Sequence, residues 1–490
     1  MVFSSISFLL FFLPCLLVCY FLVPQRFRNL RNMVLLAFSL IFYGWGGPSF
    51  LLLMLASIAL NYICGLFCGG KKLPKWVRAM SVFIAVAGGI GMLGYFKYAG
   101  FMAEIVNKLG FMVPIPEVVL PIGISFYTFQ GLSYVIDVYR GDAKVQTDPI
   151  KVALYIALFP QLVAGPIVRY TTVAHDIVHR KESLEDVSAG IVRFIYGFAK
   201  KMVIANVMGS VTDQIFSMPA ESISAAVAWV GAIAYAAQIY FDFSAYSDMA
   251  IGLGRVFGFR FEENFNYPYI SKSVTEFWRR WHISLSTWFR DYVYIPLGGS
   301  YKSKFRQVFN MFIVWSLTGL WHGAALNFVL WGLWFFVLLL GEKYIWKKVL
   351  KILPGAFGWL YTMLAVVIGW VFFRAADMGY GLTYTLAMFG GNGVWYHDHA
   401  VYFIVQYWPE FLLAILASFP FKVWLHKALS KRAYDEEGNL INVDGKIRFS
   451  ARIAHGIIVW WPKISATVLL IIAYSKLATG SFNPFIYFRF

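Results

Sequence analysis

Apolar residues in this chain come in blocks rather than in alternation. Long apolar runs occupy residues 8–23, 50–67, 82–96, 152–168, 225–243, 308–320, 326–340, 361–373, 403–421 and 457–474, with weaker runs at 33–43, 118–135 and 191–211. A helix needs roughly 20 mostly apolar residues to cross a bilayer, so the pattern predicts an all-α integral membrane protein with about 11–13 membrane-spanning and re-entrant helices. Several runs are short or interrupted by Gly and Pro. Two of them, LPIGISFYTFQGLSYVIDVYRG (residues 120–141) and FPQLVAGPIVRY (residues 159–170), predict discontinuous helices, because irregular backbone at membrane depth is tolerated where it is packed in protein or lines a cavity. The first run has no basic segment before it and no small-residue cleavage site after it, so it is expected to stay in place as a helix. No internal repeat is visible, and residues 1–490 are expected to form a single polytopic domain. Its one long hydrophilic insertion, residues 430–452, contains YDEEGNLINVDGKIRF, whose turn signals predict a small hairpin outside the bilayer.

Composition supports this picture. The chain is 60% hydrophobic and 14% charged, against about 25% charged in a soluble domain. The net charge of +17 has no basic stretch outside a membrane context, which points to a membrane surface or a phosphate-bearing cofactor rather than to nucleic acid. Arg26, Arg28 and Arg31 separate the first two runs, and Lys71, Lys72, Lys75 and Arg78 precede the run at 82–96, while the turn at 44–48 carries no charge. Short basic loops stay in the cytoplasm, so the N-terminus is expected outside. Cys15, Cys19, Cys64 and Cys68 form two i,i+4 pairs in apolar runs with no His or acidic neighbour. They are expected to pack, and no metal site is expected.

Against this background the stretch SVTEFWRRWHISLSTWFRD (residues 273–291) stands out. Placed on a helix, Phe277, Trp278, Trp281, Leu285, Trp288 and Phe289 share one arc, while Arg279, Arg280 and Arg290 lie off it. An arginine facing lipid at mid-helix costs about 2.5–3.5 kcal/mol, so the polar face must meet water, protein or a polar cavity. His282 falls at the border of the two faces. The same pattern also fits an interfacial helix anchored by Trp and Arg. In SLTGLWHGAALN (residues 316–327), His322 ends an apolar run beside Trp321 and Gly323. An imidazole, with an unperturbed pKa of about 6.5, suits proton transfer near neutral pH; the alternative is a histidine that only hydrogen-bonds between helices. In QIYFDFSAYSDMAIGLG (residues 238–254), Gln238, Asp242 and Tyr246 share a helix face while Asp248 lies elsewhere. Carboxylates in an apolar span line a wet passage or are paired, with the arginines of residues 273–291 as candidate partners. The chain lacks a Gly-x-Ser-x-Gly elbow, a P-loop, an HExxH helix and a dinucleotide fingerprint, so chemistry is expected at the histidines.

These segments, in order and spacing, resemble the membrane-bound O-acyltransferase (MBOAT) family, and within it the branch that serves bacterial alginate O-acetylation. The resemblance runs through GYFKYAGF, LPIGISFYTFQGLSYVIDVYRGD, FPQLVAGPIVRY, YFDFSAYSDMAIGLG, ENFNYPYIS, TEFWRRWHISLSTWFRDYVYIPLGG, GLWHGAALNFVLWG and the closing FNPFIYFRF. It implies a tunnel through the bilayer, a catalytic histidine at His322 and a second functional histidine at His282. Arg279, Arg280, Trp278, Asp242, Tyr246 and Gln238 are then expected to bind the donor or line the tunnel. The implied donor is acetyl-CoA, used as a co-substrate rather than a resident cofactor. The implied partners are an extracytoplasmic SGNH-type acetyltransferase, a polysaccharide and membrane lipid, in the bacterial inner (plasma) membrane. A related reading is D-alanyl transfer from a carrier protein to teichoic acid; a proton-coupled transporter would also place His, Asp and Arg inside a membrane.

Overall fold

In the computed structural model, residues 1–435, 437–443, 446–480 and Asn483 are described. The chain is helical almost throughout. Among the described residues seven helices are long and apolar enough to cross a membrane: Pro48–Gly69, Lys75–Lys108, Ala225–Val256, Leu326–Tyr344, Gly355–Arg374, His399–Ser418 and Phe449–Ala478. The other expected spans are shorter or less apolar helices, including Arg28–Gly44, Ile124–Arg140 and Lys304–His322. They pack against protein, so they need not match the full thickness of the bilayer.

Ala225–Val256 is the spine, with 32 residues that span about 48 Å at 1.5 Å per residue. Its mid-length is buried on all sides, against Leu184–Ala199, Asn206–Phe216, Gly355–Arg374 and His399–Ser418 among others. Close approach explains the tightest of these contacts. A Cβ on Gly252 would lie 2.6 Å from the Gly190 carbonyl oxygen, and one on Gly197 would lie 2.6 Å from that of Ala245. Without a side chain at these positions the two helices can touch backbone to backbone, the common device where lipid gives no hydrophobic drive for helix association.

The expected discontinuity at residues 120–141 is limited to its start. Gly123, at φ 77°, turns the chain into an unbroken helix, Ile124–Arg140. FPQLVAGPIVRY is broken as expected: after the single turn Phe159–Leu162 the chain runs irregularly to Tyr170. The hydrophilic insertion does form a hairpin, in which Asn442–Val443 pairs antiparallel with Lys446–Ile447. Helices Phe421–Ala433 and Phe449–Ala478 reach into it from both sides. The hairpin's turn and most of the FNPFIYFRF ending lie outside the described residues. Asn483 accepts a hydrogen bond from Asn206 (3.2 Å) and donates one to the Ser4 carbonyl (3.1 Å).

Two apolar clusters make up the core. One gathers the helices before Ile204 and the spine from Tyr246 onward together with Leu285, Trp288, Phe289 and Trp321. The other gathers residues 204–243, the helix ending at Arg374 and the two helices that follow it with Phe277, Trp278, Trp281, Trp331 and Phe373. The seam between them passes through residues 281–285 and between Trp321 and Trp331. Both histidines singled out in the sequence lie on this seam.

Candidate functional site

Helices Lys304–His322 and Leu326–Tyr344 form an antiparallel hairpin, and His322 is at its tip. The hairpin closes tightly because a Cβ on Gly319 would lie 2.4 Å from the Phe328 carbonyl oxygen, and one on Gly332 would lie 2.3 Å from that of Trp315. At the open end, Lys343 Nζ and Tyr344 Oη donate to Gln307 Oε1 at 2.8 and 3.0 Å. His322 therefore stands about 27 Å along the helix from Lys304. Its ring meets Trp321, Trp331 and Phe373 edge to face, with centroids 4.8, 5.0 and 5.1 Å away. The imidazole is held in an aromatic cage at depth, next to the end of the Gly355–Arg374 helix.

The stretch around His282 is not the single amphipathic helix that its periodicity predicts. Helix Val274–Arg280 stops, His282 takes a left-handed conformation (φ 44°, ψ 54°), and a second helix, Ile283–Phe289, follows. The predicted apolar arc is buried as expected, but it is divided between the two core clusters. A left-handed non-glycine residue is uncommon and persists where its surroundings over-determine it. Here the strand-like segment 264–266 does so. Asn266 N donates to the Arg280 carbonyl oxygen (2.9 Å) and Ile283 N to that of Asn264 (3.0 Å). Asn264 Oδ1 accepts from Ser284 N (3.2 Å) and Ser284 Oγ (2.9 Å), while its Nδ2 donates to Ser247 Oγ (3.2 Å) on the spine. Glu342 holds the other end: its carboxylate accepts from Val274 N (2.6 Å), Thr275 N (2.8 Å) and Thr275 Oγ1 (2.6 Å), capping the first helix. His282 is buried, and its Nδ1 has no hydrogen-bond partner among the described residues.

An open cavity of about 1700 Å³ approaches this turn between Leu184–Ala199, the spine and the helices after Leu413. It reaches Asn264, Phe265, Asn266 and Ile283, the residue next to His282. Arg193, Lys200 and Lys422 are among its lining. Leu184 and Glu185 in its lining follow Glu182, which Arg28 and Arg31 meet at 2.5 and 2.8 Å. This part of the cavity wall therefore lies near the first basic loop.

The other residues singled out in the sequence fall in different places. Trp278 packs against Trp315 and Phe335 (both 4.9 Å) and Trp331 (5.6 Å), so it borders the His322 cage. Arg280 pairs with Glu276 (2.9 Å) and donates to the carbonyl of Asn266 (3.1 Å); Arg279 is exposed. Gln238 is buried, with Oε1 unpartnered among the described residues. Asp242 does not reach the arginines of residues 273–291. It pairs with Lys201 at 2.7 Å, both side chains almost fully buried. Tyr246 stacks on Phe3 (4.5 Å), and with Asp242 it lines a small pocket against the N-terminal residues. Asp248, on a different face, lines the large cavity and pairs with Lys200 (2.6 Å) and Arg193 (2.9 Å). Helical periodicity put Asp242 and Asp248 on different faces; the neighbours that satisfy them come from residues 193–201.

Sequence reading passed over Trp321, Asn264 and Glu342. Glu342 did carry a signal, since a lone carboxylate ending an apolar run needs a partner. Asn264 carried none.

Residues 115–379 match the profile of the MBOAT, membrane-bound O-acyltransferase family. The chain is 44% identical over 401 residues to a protein of Pseudomonas aeruginosa named probable alginate O-acetylase AlgI, covering 81% of this chain and 76% of that one. It is 39% identical to a protein of the same name from Pseudomonas putida, over the full length of both. A peptidoglycan O-acetyltransferase of Helicobacter pylori is 31% identical, with 80% of this chain and 81% of that one covered.

Proposed function

Because the chain belongs to the membrane-bound O-acyltransferase family and is a multi-pass O-acyltransferase, we propose that it takes acetyl groups from cytoplasmic acetyl-CoA and passes them across a bacterial inner membrane. The acceptor is an exported polysaccharide of the alginate type, reached through an extracytoplasmic acetyltransferase partner. The names of the relatives support a polysaccharide acceptor. One observation carries the reading. The His282 and His322 rings both meet Trp321, at 6.0 and 4.8 Å, and the cavity whose wall includes Leu184, near the first basic loop, reaches Ile283 beside His282. Donor entering from that side comes to His282 and so to the indole that His322 also meets.

In this reading His322 is the general base. It removes the proton of the acceptor hydroxyl, whose oxygen attacks the thioester carbonyl carbon. A C–O bond forms, the C–S bond breaks, and the sulfur leaves as CoA thiol on receiving the proton from the imidazolium. A positioned histidine contributes about 10²–10⁴-fold through such a step. His282, next to the cavity-lining Ile283 and with Nδ1 unpartnered among the described residues, orients the donor. With Arg28 in the cytoplasm the Leu184 side of the cavity is cytoplasmic and the N-terminus outside. Cysteine probes at Gly46 and Lys72 read this orientation: only Gly46 should label from outside.

The test uses membrane vesicles from an alginate-producing host that lacks its own O-acetylase, supplied with acetyl-CoA and scored for O-acetyl groups on polysaccharide. His322→Ala and His322→Gln should both accumulate normally and lose at least about 10²-fold in transfer. Gln keeps a hydrogen bond between helices but moves no proton at neutral pH. An active Gln variant would make His322 a packing residue and remove the mechanism.

A further inference from the structure

An α-helix ends with four carbonyl oxygens that have no partner within it. For the helix that carries His322 these are the oxygens of Gly319, Leu320, Trp321 and His322. Gly323 N takes the first at 3.4 Å. The other three are taken by two consecutive residues of a different element. Tyr98 Oη donates to Leu320 O at 2.7 Å, and Lys97 Nζ donates to Trp321 O at 2.5 Å and His322 O at 3.2 Å. Both belong to Gly94–Tyr98, a widened helical turn inside the Lys75–Lys108 span. Turns of this kind re-aim side chains and are frequent at functional sites.

From this we infer that Lys97, with Tyr98, is a positioning residue for His322, setting the hairpin tip from which the imidazole projects. A lysine inside a membrane protein is expensive unless its charge is used. Here the ammonium is met by main-chain oxygens rather than by a carboxylate, and it lies at the negative end of the helix dipole, where a cation is favoured. The contacts fix the carbonyl of the histidine itself and of the tryptophan before it. Because the Trp321 ring meets both His322 and His282, moving this tip changes both imidazoles together. The geometry thus makes Lys97 a determinant of rate rather than of donor affinity, since Lys97 is not among the residues that line the large cavity.

The inference rests on His322 being the base, and the experiment separates the two. Lys97→Met, Lys97→Arg, Tyr98→Phe and His322→Ala are compared in the vesicle assay while acetyl-CoA is varied. Lys97→Met should lower kcat by about tenfold or more with KM for acetyl-CoA within about twofold, the signature of an interaction needed in the transition state. Lys97→Arg, which keeps the cation and its donors, should recover most of that loss. Tyr98→Phe, which removes one contact and no charge, should cost about twofold to fivefold in kcat. If Lys97→Met does not accumulate, Tyr98→Phe decides, and an unchanged kcat there overturns the role. A Lys97→Met enzyme with normal kcat overturns it as well, even when His322→Ala is inactive. An active His322→Ala overturns both readings.

Discussion

His282 and Trp321 meet edge to face, with ring centroids 6.0 Å apart and planes at 75°. They are separated in sequence by a wide turn and most of the Lys304–His322 helix, and Trp321 also meets His322. The Trp321 indole is thus in contact with both imidazoles.

Trp321→Leu should therefore lower transfer by about tenfold to a hundredfold, because a small misplacement of reacting groups carries a penalty of that size. The control is Trp288→Leu. Trp288 stacks on Phe129 at 3.7 Å and is just as large a buried ring. Equal losses per folded molecule in the two variants would mean that Trp321 only fills space.

The left-handed turn at His282 makes a second prediction, independent of chemistry. His282→Asn tolerates that conformation and should accumulate and melt like the parent, although inactive, whereas His282→Val should lose about 1–3 kcal/mol. Asn264→Ala, which removes the bonds to Ser284, should behave like a weaker version of the valine variant. Equal stability of the Asn and Val forms would show that the turn is not held as described.

Asp242 and Lys201 form a buried pair. Removing one charge takes a buried counter-charge from the other at a cost of about 3–5 kcal/mol, so Asp242→Asn and Lys201→Met should each accumulate poorly, and Asp242→Leu with Lys201→Met should accumulate better than either. Thermal unfolding in detergent reads this directly. Single variants that stay folded yet lose transfer would instead assign Asp242 to the tunnel.

Glu182 lies in the loop between Tyr170–His179 and Leu184–Ala199, outside the spanning segments. Burial pushes its carboxyl up, but the hydrogen bond and charge of Arg28, helped by Tyr20 and Arg31, bring it net below the ordinary value. A depressed carboxylate contributes stability that is complete above its unfolded pKa of about 4.3 and is lost as pH falls through the folded value. The parent should therefore show no Glu182-dependent change from pH 6 to 8 and weaken in acid. Glu182→Gln should be destabilised by about 3–5 kcal/mol at neutral pH and differ less from the parent in acid. A gap between the two that does not narrow on acidification would sink the assignment.

Arg280 is pinned to Glu276 and to the Asn266 carbonyl, and Asn266 lines the cavity. If Arg279 and Arg280 serve the donor, changing both to Gln should raise KM for acetyl-CoA more than it lowers protein level, as expected for lost charge-assisted contacts to phosphate. A normal KM with reduced abundance would make them anchors of the turn.

Much of this protein is written locally in its sequence. Blocks of apolar residues specify helices in lipid because an unsatisfied backbone cannot exist there, and the basic loops beside residues 23 and 75 give the expected orientation that cysteine labelling tests. An imidazole ending an apolar run singles out His322, and charge set among tryptophans singles out the stretch that holds His282. Periodicity also placed Asp242 and Asp248 on different faces of one helix, and they meet different neighbours. It could not say what those faces meet. Asp242 finds Lys201, Glu182 finds Arg28 and Arg31, Val274 finds Glu342, and the tip at His322 finds Lys97, each across a large separation in sequence. The break at His282 has the same origin. Residues 273–291 have a helix's pattern, but their two halves belong to different apolar clusters, and the hydrogen bonds from Asn264 and Asn266 stabilise the bend that lets each half bury its own face. A helical pattern fixes which side chains lie together on a surface; only the packed fold decides which surface comes to meet them, because that depends on the burial free energy of the whole assembly rather than of any one segment.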